Sequence, residues 1–407
     1  MLNSSNNYLS NQQEEHQYKL KHLSLHEKMG QDLIAPFLTK SGNTLEYLSL
    51  LGCPFEIPTP FFAWKSIFLS PSFPQCIHLR TLICDSVAFD CISLVTLLNQ
   101  APLIETLELK RLQDVTFNYS ILQSLAPLHH LKYLYLEYMT FDNDHAAALF
   151  IERLCILEKL VVHRSVMTLR RLNNFSSLER LKHLEFFIIE WGQEEEGEEY
   201  QVDYQEEEEP IPHYFMPPEL FTHVASFELQ QHQLEFVHLE TIKGITLEHL
   251  IAIAGISTIK HINVQLDQVL DHENEEETLI FIKKLHTTTP IETLVLRDVA
   301  YLPPYSVILA LSQLPFLKEI YLESPTMFLP SPSQVDEIID VSRIMPLLCN
   351  NTLQRITLEN AVGNRTRPRM AIDNLVSEHG LSWYSTQSFT RINDDGLYLE
   401  DVRLERQ

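Results

Sequence analysis

The sequence predicts an α/β solenoid, with one parallel sheet built from a strand per repeat and helices along its outer side. Three observations carry that reading. A short apolar string, L-x-x-L-x-L, recurs down the chain. Its copies follow one another at a nearly constant step. Between copies lie segments whose apolar residues fall three and four apart, the spacing of a helix that buries one face.

The first copy is "LKHLSL" from Leu20, followed by "LEYLSL" at Leu45, "LRTLIC" at Leu79 and "IETLEL" at Ile104. "LKYLYL" at Leu131, "LEKLVV" at Leu157 and "LKHLEF" at Leu181 complete a first half. The steps are 25, 34, 25, 27, 26 and 24 residues. A second half holds "IKHINV" at Ile259, "IETLVL" at Ile291, "LKEIYL" at Leu317 and "LQRITL" at Leu353. Poorer copies are read at "VASFEL" (Val224) and "IKGITL" (Ile242). Helical spacing marks Cys91–Gln100, His145–Leu154, Glu277–Thr287, Tyr305–Pro315 and Val335–Cys349. A strand and helix of this size cannot bury their own apolar faces, and stacking supplies the missing partner.

Two stretches interrupt the period. The 34-residue step contains Pro54, Pro58, Pro60, Pro71 and Pro74, which predict a loop insertion or a bent repeat. Residues 191–218 carry 10 acidic side chains between Glu194 and Glu209 without an apolar period. Like charges at that density repel, so this segment is read as a disordered insert. The chain thus divides into a disordered tail (1–19), first-half repeats (20–190), the acidic insert (191–218), second-half repeats (219–360) and a C-terminal cap or tail (361–407). The last contains Arg365, Arg367, Arg369 and the helix-like "MAIDNLVSEHG".

Composition narrows the function. Lys and Arg number 30 against 55 Asp and Glu, a formal net charge of −25. That disfavours binding to nucleic acid, which requires basic surface, and suits encounter with a basic partner. Six cysteines without a C-x-x-C pair read as reduced thiols of a cytoplasmic or nuclear protein. No signal sequence opens the chain and no apolar run has membrane length, so no membrane partner is expected. The 10 glycines form no phosphate-binding loop, which argues against a nucleotide enzyme. No G-x-S-x-G elbow and no calcium-loop spacing occurs. His22 with His26, and His129 with His130, lack a third ligand at a useful spacing and are read as solvated loop histidines. No catalytic residue, metal or cofactor is therefore expected.

"LEYLSLLGC" (Leu45–Cys53) has the form L-x-x-L-x-L-x-x-C. On this string and its repeats, from Leu20 to about Leu358, the chain resembles leucine-rich repeat proteins of the ribonuclease-inhibitor-like superfamily. The nearest branch is the F-box/leucine-rich-repeat proteins. Other copies depart from the pattern, with Val87, Leu112, Met139 or Val299 at the cysteine position. The resemblance implies a horseshoe with a parallel concave sheet and outer helices, and a non-enzymatic protein that grips a protein partner on the concave face. In that branch the solenoid is the substrate-binding part of a cullin-RING ubiquitin ligase receptor. "MPPELFTHVASFEL" (Met216–Leu229) opens like an F-box but lacks its later positions, and the 19 residues before Leu20 are too few for one. The expectation is a receptor without its coupling half, with a cullin-RING adaptor as partner only if a longer form carries an F-box. The alternative is a free-standing binding or scaffold module with no ligase link. A regulator of the GTPase-activating type fits less well, because the acidic run is internal.

Within each repeat, positions 1, 4 and 6 are read as core and positions 2, 3 and 5 as concave surface. The candidate partner-binding residues are Tyr47, Arg80, Glu105, Glu108, Tyr133, Tyr135, Glu158, Lys159 and Tyr321. Tyrosines among mixed charges suit protein recognition.

Overall fold

The computed structural model describes residues 20–26, 37–52, 73, 75–87, 91–112, 115–117, 119–125, 127–141, 156–167, 180–191, 233–242, 247–265, 274–297, 303–323, 341–363, 368–392 and 398–406. The strands are β1 (His22–His26), β2 (Tyr47–Leu51), β3 (Thr81–Asp85), β4 (Thr106–Lys110), β5 (Thr116–Phe117), β6 (Tyr133–Glu137), β7 (Thr140–Phe141) and β8 (Lys159–Met167). They continue as β9 (His183–Trp191), β10 (Phe236–Ile242), β11 (His261–Gln265), β12 (Thr293–Arg297), β13 (Glu319–Glu323), β14 (Arg355–Gly363), β15 (Trp383–Ile392) and β16 (Tyr398–Arg406). The helices are α1 (Cys91–Gln100), α2 (Tyr119–Leu125), α3 (Leu247–Ile253), α4 (Glu275–Thr288), α5 (Tyr305–Ser312), α6 (Met345–Cys349) and α7 (Pro368–Glu378).

One sheet runs through the molecule in the order β1-β2-β3-β4-β6-β8-β9-β10-β11-β12-β13-β14-β16-β15. This is the α/β solenoid of leucine-rich-repeat type. From β1 to β14 every neighbour is parallel and in register: Tyr47 lies opposite Thr81, Thr81 opposite Thr106, and Thr106 opposite Tyr133. The register follows from the string. Positions 4 and 6 are fully buried in repeat after repeat, as at Leu82 and Cys84, Leu107 and Leu109, and Leu134 and Leu136. A slip of one residue would turn all of them to solvent.

Two backbone devices repeat with the strands. The position-2 carbonyl accepts two N–H groups from the next repeat; Lys21 O, for example, takes the amides of Glu46 and Tyr47 at 2.8 and 2.9 Å. At position 8 the backbone turns left-handed: Ser86, Arg111, Tyr138 and Arg164 have φ of 58, 50, 56 and 46°, the first three just after their strands end and Arg164 within β8. The amides of Ser86, Arg111 and Tyr138 donate to the position-7 carbonyl of the next strand. Position 9, where the resembled family has Cys or Asn, is buried and apolar at Val87, Leu112 and Met139. Ser165 fills it once, accepting the Met139 amide at 3.1 Å and donating to His163 O at 2.9 Å.

Three expectations change. First, among the described residues the strand that follows the acidic insert begins at Phe236, from the string "LEFVHL" at Leu234, and Ile242, read as the start of a copy, ends that strand instead. Leu234, Val237 and Leu239 are buried as positions 1, 4 and 6, and Thr258 donates to Leu234 O just as Thr44 donates to Leu20 O. Ile242 ends β10, and Leu247 already belongs to α3. Residues 224–229 lie outside the described residues. Second, the sheet is not parallel throughout. β16 runs antiparallel to β14, and β15 antiparallel to β16, with Val402 and Leu404 buried against the last repeat. Third, residues 341–344 form a 3₁₀ turn leading into the short α6, which has Pro346 in its first turn.

The predicted helices at Cys91–Gln100, Glu277–Thr287 and Tyr305–Pro315 correspond to α1, α4 and α5, and "MAIDNLVSEHG" lies in α7. The predicted helix at His145–Leu154, Cys53, Val299, the proline-rich residues 54–71, Pro74, the acidic insert, Met216–Leu229 and Arg365 and Arg367 lie outside the described residues. Arg369 pairs with Asp373 on α7 at 3.5 Å.

Candidate functional site

The helices cover one face of the sheet, and the other stays open. Strand alternation gives the open face to positions 3, 5 and 7, mostly half-buried between their neighbours, as at Thr81, Ile83 and Asp85. Position 2 falls just before each strand, along the rim, exposed at Lys21, Arg80, Lys132 and Lys182 and half-buried at Glu46, Glu105 and Glu158. Position 2, read as part of the concave surface, thus stands at the edge of the strands, and position 7 joins positions 3 and 5 on the open face.

The candidate residues separate accordingly. Glu108, Tyr133, Tyr135 and Lys159 come together in the middle of the open face. Lys159 Nζ stands 5.3 Å over the Tyr133 ring, Lys110 Nζ stands 4.6 Å over Tyr135, and Lys110 pairs with Glu108 at 2.7 Å. Burial first, then Glu108, raise the Tyr133 pKa to about 12. Tyr47 lies near the first strands, stacked on His22 at 5.6 Å. His22 therefore sits on a strand, not in a loop, whereas His129 and His130 are exposed in a turn. Tyr321 lies towards the other end beneath the Arg297 guanidinium, and lines an open pocket of about 620 Å³ together with Arg355, Asp401 and Arg403.

Arg80, Glu105 and Glu158 are rim residues, and their rim has a pattern. In spatial order position 2 reads Lys21, Glu46, Arg80, Glu105, Lys132, Glu158, Lys182, Glu235, Lys260, Glu292 and Lys318. The sign alternates without a break. Ion pairs link Lys21 to Glu46 (2.7 Å), Arg80 and Lys132 to Glu105 (3.2 Å for the lysine), and Lys182 to Glu158 (3.0 Å). They continue from Lys260 to Glu235 (3.1 Å) and from Lys318 to Glu292 (2.7 Å). Hydrogen bonds from Lys132 and Arg80 hold the Glu105 carboxyl below its ordinary pKa, and Lys318 does the same for Glu292. In-register parallel strands stack equivalent positions, so a uniform charge here would repel along the whole array.

The densest chemistry lies where β8, β9 and β10 adjoin. Glu185 meets His163 Nε2 at 2.9 Å, His183 Nε2 at 3.1 Å and His238 Nδ1 at 3.4 Å. Tyr135 Oη lies 3.0 Å from His163 Nδ1 and 3.2 Å from Glu137. On the far side His238 Nε2 reaches Glu240 at 2.8 Å, and Arg297 reaches both Glu240 (3.4 Å) and Glu323 (3.1 Å). Burial alone would raise the Glu185 pKa, but bonds from three imidazoles outweigh it and hold the carboxyl well below the usual range. Burial opposes a charge on His238, yet Glu185 and Glu240 overcome that and raise its pKa. Rings surround the cluster, with Phe236 stacked on His183 at 4.0 Å and Phe187 tilted against His163 at 5.3 Å.

No protein-family model matches the chain, and no curated protein is similar to it.

Among the described residues no group of three or more His, Cys, Asp or Glu side chains is placed to hold a metal, and no helix is long and apolar enough to cross a membrane. Cys76 and Cys84 are buried and take part in no disulfide, and burial raises the Cys76 pKa to about 12. What the arrangement offers is an open, continuous face of rings and paired charges.

The sequence reading missed His163, His238, Glu137 and Glu240 as members of the site. His163, Glu137 and Glu240 stand at position 7, which strand alternation carried one step further would have reached. His238 lay in the string at Leu234 that the reading passed over.

Proposed function

We propose that the chain is a non-enzymatic protein-recognition solenoid whose open, concave sheet face grips a protein partner and performs no bond chemistry. The observation that carries this is the face itself. Tyr133, Tyr135, Phe187 and Phe236 stand half-buried beside Glu108, Lys159 and the histidine cluster, on strands that keep register across the array. Rigid aromatic side chains framed by charge give affinity with little ordering cost, as interface centres require.

Its finer form follows the resemblance: the substrate-binding part of an F-box/leucine-rich-repeat subunit of a cullin-RING ubiquitin ligase. The alternative is a free-standing ribonuclease-inhibitor-like module. A photo-crosslinking residue placed at Tyr135 in the full chain should capture a protein in cells. The same residue at Tyr305, exposed on α5, should not. The captured band should weaken when Tyr133→Ala is added to the chain that carries the crosslinker at Tyr135. Equal capture from both positions would remove the proposal. Recovery of a cullin adaptor with the purified chain supports the ligase form, and its absence supports the free-standing module.

A further inference from the structure

In the middle of the open face, acid exceeds base. From β4 to β10 it carries Glu108, Glu137, Glu185 and Glu240 against Lys110 and Lys159. Lys110 is engaged by Glu108. Among the described residues the side-chain partners of Glu185 are imidazoles, which are cations only when protonated. His238 is in a special position, because one ring nitrogen faces Glu185 and the other faces Glu240. Carboxylates only accept, so both contacts are satisfied together only by an imidazolium. When protonated, His238 places a cation of the protein's own between carboxylates on adjacent strands, with Phe236 edge-on to it at 6.5 Å.

Consider what such a face accepts. An acidic segment would meet carboxylates held ionised, on a chain of net charge −25. An apolar segment would strip water from those carboxylates without replacing its hydrogen bonds. A segment bearing Lys or Arg gains the carboxylates and the ring faces together.

We propose that this region binds a basic, Lys- or Arg-bearing protein segment in exchange for the proton on His238. The inference rests on the recognition reading above and assigns that reading a partner class. The groups facing the exchange site are Tyr135 and Glu137 from β6, His163 from β8, His183 from β9 and Glu240 from β10. Beyond them, Arg297 of β12 pairs with Glu240, and His261 of β11 meets Phe236. Glu185 stays charged throughout, so the titrating group of the exchange is His238. As pH rises and His238 loses its proton, the two carboxylates lose their resident cation and take up the ligand's. Binding therefore tightens with pH, by at most about tenfold per unit for each proton released.

The test is fluorescence anisotropy on the full chain. The probes are a labelled peptide of alternating Lys, Ser, Arg and Gly and its counterpart with Glu replacing both bases. Between about pH 5.5 and about pH 8.5 the basic peptide should bind at least about fivefold more tightly at the higher value. His238→Gln should flatten that profile while keeping the binding, and Glu185→Gln and Glu240→Gln should each weaken it. A chain with the glutamates of 194–209 replaced by Gln should keep the wild-type profile, since those carboxylates do not titrate in this range. Binding that is flat with pH, that keeps its slope in His238→Gln, or that vanishes with the insert glutamates overturns the proposal, as does no binding at all. If the acidic peptide binds instead and Tyr135→Ala abolishes it, the basic partner class falls and the recognition reading stands. A partner crosslinked at Tyr135 beside no affinity for the basic peptide has the same meaning.

Discussion

Two residues side by side on β6 show how differently the two faces of the sheet respond. Leu134 is wholly buried, and Leu134→Ala should cost about 2–5 kcal/mol through lost burial and the cavity left behind. A denaturant titration followed by circular dichroism measures it, and a loss no greater than that of Tyr133→Ala would contradict the assignment of faces. The His238 site gives stability a pH dependence with two signs. The His238 pKa is raised in the folded chain, so its contribution is complete below about 6.5 and is lost as pH rises through the folded value. Glu185 and Glu240 have lowered pKa values, so theirs is present above the ordinary carboxylate range and is lost as pH falls through the folded values. Stability from this cluster should therefore be greatest in the mildly acidic window between them. In His238→Gln the decline towards higher pH should flatten, and thermal melts across the window read it directly.

At the scale of elements, the C-terminal hairpin does what an end repeat must do, which is to cover the last open layer of core. Trp383 on β15 is buried, donates from Nε1 to Leu348 O at 2.7 Å, and lies 5.1 Å beneath the Arg406 guanidinium. Trp383→Phe keeps most of the ring and removes the bond, and should cost about 1 kcal/mol, measured by the same titration. This hairpin was illegible in the sequence. Val402 and Leu404 alternate with charged residues in "YLEDVRLER", a period of two without the six-residue string, and Trp383 is followed by a run of Ser, Thr and Gln. The repeats themselves were legible, because each leucine at positions 1, 4 and 6 answers to the same buried environment. "LEFVHL" at Leu234 escaped because valine replaces leucine at its centre and the similar string "IKGITL" begins only eight residues later, at Ile242. Its distance of 25 residues from Ile259, a normal step, was the available sign. The Glu185 cluster required more. His163 and His238 stand 22 and 53 residues from Glu185, the first at position 7 and the second at the same position 5 of a string that was passed over, and only the strand register brings them together.

At the scale of the whole molecule, the rim of alternating charge is assembled from exposed pairs, each of which contributes little by itself. Its weight lies in the sum and in the penalty for error. Lys132→Glu would set three acids in a row with Glu105 and Glu158. It should lower the unfolding midpoint at low salt, and added salt should restore part of the loss. The same rim gives the array a parity. Removing one repeat, residues 104–130, would bring Arg80 against Lys132, like against like. Removing two, residues 104–156, would bring Arg80 against Glu158 and keep the alternation intact. The shorter chain should then have the better-matched rim, and the difference between the two deletions should shrink as salt rises. A solenoid of this kind can gain or lose repeats smoothly only in pairs, so its unit of change is twice its unit of structure.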